Sequence, residues 1–400
     1  MIRISLLYFS ASLLLLPVTG CKNDPAPAAA SQMAASAPSA AAIEPEITLY
    51  AANVDNLLLR TEPTQKSTGI VAKLPEGAFV TGTGERSTNK EEAVLRGIPY
   101  TDVFLKVSPQ ADATQSGWAF AGALTPVYSG TQKDRPDIVQ LGQVASFFKT
   151  LDTKKLESGK KAWEYIAANM DKAQGTTAEA AFILLQHFLF RMEIEGEFYK
   201  ETEKVAWKDE DFTAIYKRTF DPKKYPQTQR FAENGFIMES GEGMVFPVVD
   251  FQRFQSFFGE KVGPAFKQYI DEEVLERRER DSEDGGLIIP IEKMAERAVF
   301  WEKFNQANPY FVLSDKTKMS EHWNRMVVIS GMDNTPSYDF ETKAILPEFK
   351  TLWASVQQKY PGTTLAAKCK EISDLAASEG WRYAPKVEAW VAKYHEESPM

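Results

Sequence analysis

Three histidines and two cysteines are the scarce reactive residues of this 400-residue chain, and their spacing decides which chemistries are open to it. His187, His322 and His395 lie far apart, with no HExxH, no HxxxD and no Cys or His at ligand spacing, so a zinc hydrolase is not expected. His187 falls in an apolar run and reads as a core histidine. A cysteine peptidase needs a thiol and a histidine base. Cys369 stands in the helical stretch AAKCKEIS, and the only histidine after it is His395, five residues from the last residue. The acid pairs Glu272 with Glu273 and Glu239 with Glu242 have the residue types a glycosidase uses, although acids at helical spacing also make a solvated face. No catalytic residue is assigned from the sequence, and a non-enzymatic role is preferred.

Residues 281 to 292, DSEDGGLIIPIE, follow part of the spacing of an EF-hand calcium loop. Asp281 matches position one, Glu283 position three, Gly286 the turn glycine at six, Ile288 position eight and Glu292 the bidentate acid at twelve, with Leu287 placed to lend its carbonyl at seven. Two positions depart: Glu283 is one methylene longer than the usual acid, and Gly285 at position five has no side-chain oxygen. The competing reading is a charged helix end that turns through Gly285-Gly286 into a helix begun by Pro290. No cofactor is expected, calcium being the one considered. The segment Asp333-Asn334-Thr335-Pro336 is likewise turn-forming.

The N-terminus carries the clearest signal. One basic residue, Arg3, precedes an apolar run from Leu6 to Leu16, too short for a bilayer span of about 20 residues but of signal-peptide length. The run leads into Val18-Thr19-Gly20-Cys21, which resembles the lipobox of bacterial lipoproteins: a branched apolar residue, two small residues, then cysteine. The resemblance implies cleavage before Cys21, acylation of that cysteine with palmitate-type chains, and attachment to a membrane of the bacterial cell envelope. An ordinary secretory signal cut near Gly20 is the alternative. Lys22 stands where aspartate often signals inner-membrane retention, which favours the outer membrane, with the body facing the periplasm or the surface.

Removing residues 1–20 leaves 45 basic against 55 acidic residues, a net charge of −10, which gives no electrostatic reason to bind nucleic acid. Acylation of Cys21 leaves Cys369 unpaired, so no internal disulfide is possible. Residues 21–45 are then the lipidated cysteine and a tether of Ala, Pro and Ser with too few large apolar side chains for a core.

From 46 to 128 short β-rich runs alternate with turn residues: 47–51, 57–60, 69–74, 78–85, 100–108 and 117–124. Their landmarks come in a telling order: Leu58-Leu59-Arg60-Thr61-Glu62-Pro63, then Gly69-Ile70-Val71, Leu74-Pro75-Glu76-Gly77, Leu105-Lys106-Val107, Gly117-Trp118-Ala119 and Ala123-Leu124. In this order they resemble a bacterial SH3 domain, which implies a small all-β barrel that contacts peptidoglycan or an envelope protein. Val103-Phe104 replaces the family's usual aromatic pair, and residues 86–98 form a long polar insertion.

From 134 to 400 the apolar period becomes 3.6, so a larger all-α domain of unknown function is expected to follow the barrel. Helices are expected near 137–150, 158–171, 178–192, 209–220, 263–280, 290–305, 315–330, 340–358, 362–379 and 384–395. The run AEAAFILLQHFLFRM, apolar nearly all round, reads as the buried central helix, and 241–251 as the one strand of this region. The whole reads as a membrane-anchored envelope lipoprotein with a binding or adaptor role. The alternative is a wall hydrolase whose site lies in the helical region.

Overall fold

Alternating burial along the chain begins at β1 (Ile47–Ala52) and sets the first layer of the structure, a computed structural model that describes residues 46–397. Cys21 and the 21–45 segment lie outside the described residues. After β1 come β2 (Leu57–Arg60), β3 (Ile70–Leu74), β4 (Phe79–Arg86), β5 (Glu91–Leu95), β6 (Ile98–Asp102), β7 (Phe104–Pro109), β8 (Gly117–Phe120) and β9 (Leu124–Gly130). Seven of these form one antiparallel sheet in the order β3-β2-β8-β7-β4-β1-β9.

The insertion at 86–98 is structured in part. It supplies β5, which pairs with β6 through a two-residue turn in which Arg96 and Gly97 both take positive φ, 51° and 82°, as a type I′ hairpin requires. The strand expected over 100–108 is therefore two strands, one in this hairpin and one in the main sheet. Phe104 and Phe120 meet edge-on at 5.7 Å inside the sheet's own core, with Leu57, Leu59, Val80 and Val107.

The remainder is helical, built from α1 (Ile138–Lys149), α2 (Glu157–Asn169), α3 (Gly175–Glu195), α4 (Tyr199–Thr202), α5 (Asp209–Tyr216), α6 (Pro226–Glu233), α7 (Phe251–Phe258), α8 (Pro264–Arg278), α9 (Ile291–Ala307), α10 (Ser314–Ser330), α11 (Pro347–Lys359), α12 (Thr364–Ser378) and α13 (Pro385–Glu396). Most expected helices are found within a few residues of their place. The exception is 340–358. Asp339 caps the backbone N–H of Thr342 at 2.7 Å, a bridge joins Tyr338 to Ile345, and the helix waits for Pro347.

α3 is the central helix, because nearly every face of it is apolar and buried. Phe182 packs edge-on against Phe254, Phe258 and Phe266 at 4.8 to 5.5 Å, and the α7 sequence FQRFQSFF supplies the first two of those rings from one face. The same apolar cluster takes in Leu49, Ala51, Phe79, Val127 and Tyr128 of the β-region, so sheet and helices share a core. A second cluster, with Trp353, Val328, Cys369 and Ile372, holds the C-terminal helices together.

Three β-hairpins interrupt the helices. The lone strand expected at 241–251 is a pair, β10 (Phe236–Gly241) with β11 (Met244–Val249), turning at Glu242-Gly243. The two others are β12 (Ser282–Glu283) with β13 (Gly286–Leu287), and β14 (Gly331–Met332) with β15 (Thr335–Pro336). The last two clasp each other: Asn334 N–H donates to the Gly285 carbonyl at 2.9 Å, and Leu287 N–H to Thr335 Oγ1 at 2.9 Å. Arg280 ties this clasp to the first hairpin by donating to the carbonyls of Ser282 and Ser240.

Candidate functional site

Segment 281–292 carries the calcium-loop spacing. It is not a loop wrapped around a centre. Asp284 and Gly285 take φ of 47° and 67°, the type I′ geometry of a two-residue hairpin turn, and α9 begins at Ile291. Asp281 accepts from Ser282 Oγ at 2.8 Å, and Glu283 pairs with Arg280 at 3.8 Å. Leu287 is held in the hairpin, while Glu292 lies in the first turn of α9. These residues are not brought together as a ligand set. Among the described residues, no group of three His, Cys, Asp or Glu is placed to hold a metal ion.

The thiol and two of the histidines come from three C-terminal helices, Cys369 from α12, His322 from α10 and His395 from α13. Cys369 is fully buried in the C-terminal core, where burial pushes its pKa up to about 12, so no thiolate nucleophile forms near neutrality. His395 is exposed and shares a hydrogen bond with Ser330 Oγ at 3.1 Å. His322 is buried against Tyr394.

The acid pairs named from the sequence lead somewhere. On α8, Tyr269, Glu273 and Arg277 stand four residues apart and share one face, whereas Glu272 and Glu276 lie on the neighbouring face. Glu273 is 8% exposed and pairs with Lys316 of α10 at 3.0 Å and with Arg277 at 3.3 Å. Lys316 Nζ also donates to Tyr269 Oη at 2.7 Å. Phe251 floors both cations, with the Arg277 guanidinium 3.9 Å and the Lys316 ammonium 5.3 Å from its ring centre.

Glu239 joins from β10 through Arg218, which pairs with it at 2.5 Å and donates to the Arg277 carbonyl at 2.7 Å. Glu242, its sequence partner, is spent in the hairpin turn. Glu193 of α3 approaches the same group and accepts the Val249 N–H at 3.2 Å.

The two carboxyls beside Arg277 are driven apart electrostatically. Burial raises Glu193 to about 7 despite the Val249 N–H and Arg277. Burial also pushes Glu273 upward, but Lys316 and Arg277 outweigh it and hold the carboxyl below its ordinary 4.5. On the other face of α8, burial raises Glu272 to about 7 and Glu276 to about 8, the latter accepting from Trp301 Nε1 at 2.7 Å.

This recess is half open. Lys316 and Arg277 keep 33% and 35% of their side chains exposed. It is also incompletely satisfied, since Arg277 Nε and Gln186 Nε2 are buried donors without an acceptor. The Gln186 amide faces the Tyr269 hydroxyl, yet its Nε2 has no acceptor in hydrogen-bonding geometry. Sequence reading reached Glu273 and Glu239 but missed Gln186 and Glu193 of α3, Lys316 of α10, Arg218, and Arg277, which stands one turn from Glu273 on α8. An acid set between Met192 and Ile194 was the one available signal for Glu193.

A separate cleft of about 170 Å³ lies where β9 meets α3 and α8, lined by Tyr128, Glu179, Pro264, Phe266, Tyr310 and Phe311. Glu179 is already engaged there by the Gly263 N–H at 2.9 Å. The volume is below the roughly 300 Å³ of ordinary ligand pockets. Comparison of the chain with protein-family models, with curated proteins and with solved structures found no match.

Proposed function

We propose that this is a cell-envelope protein, held to a membrane by lipid on Cys21, that works by binding: an SH3-like β-region and the helical body together present a ligand surface. The observation that carries the binding reading is the recess at Phe251, where two fixed, partly exposed cations and two unused donors meet around a single doubly paired carboxylate. Such a group recognises acceptor-bearing ligands and needs no nucleophile. Support for the SH3-like reading comes from the seven antiparallel strands and from β8, where Gly117 is buried and half-buried Trp118 lies opposite Arg60. Phe104, at the position of the family's aromatic pair, is a core residue at 1% exposure, which directs attention to the helical body for the ligand.

One observation favours wall cleavage as a second reading. Glu193 and Glu273, one raised and one lowered around Arg277, are divided in the way that an acid and a base must be.

Both readings meet in one experiment. The full-length chain is incubated with purified peptidoglycan sacculi, and co-sedimentation and soluble fragments are measured together. Co-sedimentation without release is the expected result. Release that disappears in Glu193→Gln would establish the second reading, and neither binding nor release would overturn the wall as ligand. The anchor is tested separately by palmitate labelling in a bacterial host: the wild-type chain incorporates label, Cys21→Ala does not, and equal incorporation by both refutes lipidation at Cys21.

A further inference from the structure

We propose that the recess formed by Gln186, Phe251, Tyr269, Glu273, Arg277 and Lys316 is a binding site for a ligand that presents one free carboxylate. This rests on the recess being a binding site, and is independent of the lipid anchor and of the wall.

Charge balance comes first. Lys316 and Arg277 are positive and share a single negative partner, Glu273, while Arg218 and Glu239 compensate each other. Glu193, the remaining acid beside Arg277, is held toward its neutral form by burial and does not supply the missing charge in full. Up to one positive charge is left over, and a monoanion neutralises it. A phosphate dianion would overcompensate.

Donor geometry comes second. Lys316 Nζ spends two of its three donors, on Glu273 and Tyr269, and keeps one. Arg277 gives Nη2 to Glu273 and leaves Nε without an acceptor, while the amide of Gln186, 6% exposed, ends in a second orphan donor beside Tyr269. Orphan buried donors are uncommon because each forfeits its hydration with no bond to replace it. A planar carboxylate satisfies a guanidinium edge with two oxygens, which a single carbonyl acceptor cannot do. The ligand enters over the exposed ends of Lys316 and Arg277, and a side-chain rotation of Arg277 brings Nε onto its second oxygen.

The position of the fixed groups strengthens the case. Phe251, at 2% exposure, packs beneath both cations and leaves the rotation of Arg277 as the adjustment on binding, so less ordering entropy is lost. Tyr269 is fully buried and holds Lys316 by its hydroxyl.

The test is calorimetric titration of the full-length chain with N-acetyl-alanyl-alanine, with its C-terminal amide, and with inorganic phosphate. Saturable binding of the free acid is expected, weakened at least about tenfold both in the amide and in Lys316→Gln. Arg277→Lys, which keeps the charge and loses the fork, is the second variant should Lys316→Gln fail to fold, and it too should weaken binding. Circular dichroism checks the fold of each. Equal binding of acid and amide, phosphate binding as tight as that of the acid, unaltered affinity in the variants, or no saturable heat at millimolar ligand each overturns the proposal. A chain that sediments with sacculi yet ignores the dipeptide would remove this inference and leave the wall-binding reading intact.

Discussion

Replacing Glu193 by glutamine should stabilise the protein at alkaline pH and leave it nearly unchanged in acid. The carboxyl sits half-buried on α3, accepts the Val249 N–H, and is raised by burial from 4.5 to about 7. A raised acid prefers its protonated form in the folded state. Between pH 4.5 and about 7 the native chain therefore holds a proton that the unfolded chain has released, and stability falls as pH rises through that window. The shift corresponds to about 3 kcal/mol, fully lost only above the folded value. Glutamine keeps an oxygen for the Val249 N–H and carries no charge. Urea midpoints of wild type and Glu193→Gln, compared at acidic and at mildly alkaline pH, should differ little at the first, and at the second the variant should be the more stable by about 3 kcal/mol. The double difference cancels any pH-independent cost of the substitution. A gap of equal size at both pH values would show that Glu193 titrates normally and would refute a raised carboxyl at this position.

Two further outcomes follow from local geometry. In a chain carrying Cys21→Ser, Cys369 should react with a thiol reagent only as fast as the C-terminal core opens, because burial excludes the reagent and pushes the thiol to about 12; prompt stoichiometric reaction of the native chain would contradict its burial. Gly331→Ala should cost about 3 kcal/mol, since φ is 75° and a Cβ would stand 2.2 Å from the Thr335 carbonyl oxygen, whereas Gly362→Ala, with φ 82° and open space around it, should cost about 1 kcal/mol. Urea midpoints measure both, and equal losses would refute the steric account.

How far the sequence reveals the fold depends on where the deciding contacts lie. α3 could be read from AEAAFILLQHFLFRM because burial on every face leaves its mark in composition alone. α7 could not, since VFPVVDF ahead of it reads as a strand and the phenylalanines that follow reveal their helical face only once Phe182 is present to meet them. Two hairpin turns were missed for a simpler reason. Arg96-Gly97 and Glu242-Gly243 are not the Asn-Gly or Asp-Gly pairs that announce a type I′ turn, and Asp284-Gly285, which is such a pair, sits in a spacing that also fits a calcium loop. At the site, Glu239 and Glu273 were visible in sequence, but their distant partners were not: Lys316 lies 43 residues from Glu273, and Arg218 lies 21 from Glu239.

The strongest connection between the two regions is α3 itself. Its 21 residues span about 31 Å at 1.5 Å per residue. Near its start, Glu179 helps line the cleft with Tyr128 and Ser129 of β9. At its end, Arg191 and Glu195 form an ion-pair network with Glu76, from the turn between β3 and β4, and with Arg96, from the tip of the β5–β6 hairpin. The sheet is thus fastened at both ends of the helix that carries Gln186 and Glu193 to the recess. Exposed ion pairs would hold such a junction weakly, but these side chains are 14 to 26% exposed and stand beside a shared apolar core, so the network adds direction to an interface that burial already secures. A β-region joined in this way cannot swing as a separate bead beside the helical body. Whatever it contacts is held at a fixed distance from the recess, and a ligand long enough to reach both surfaces would gain from the fixed geometry without any new contact.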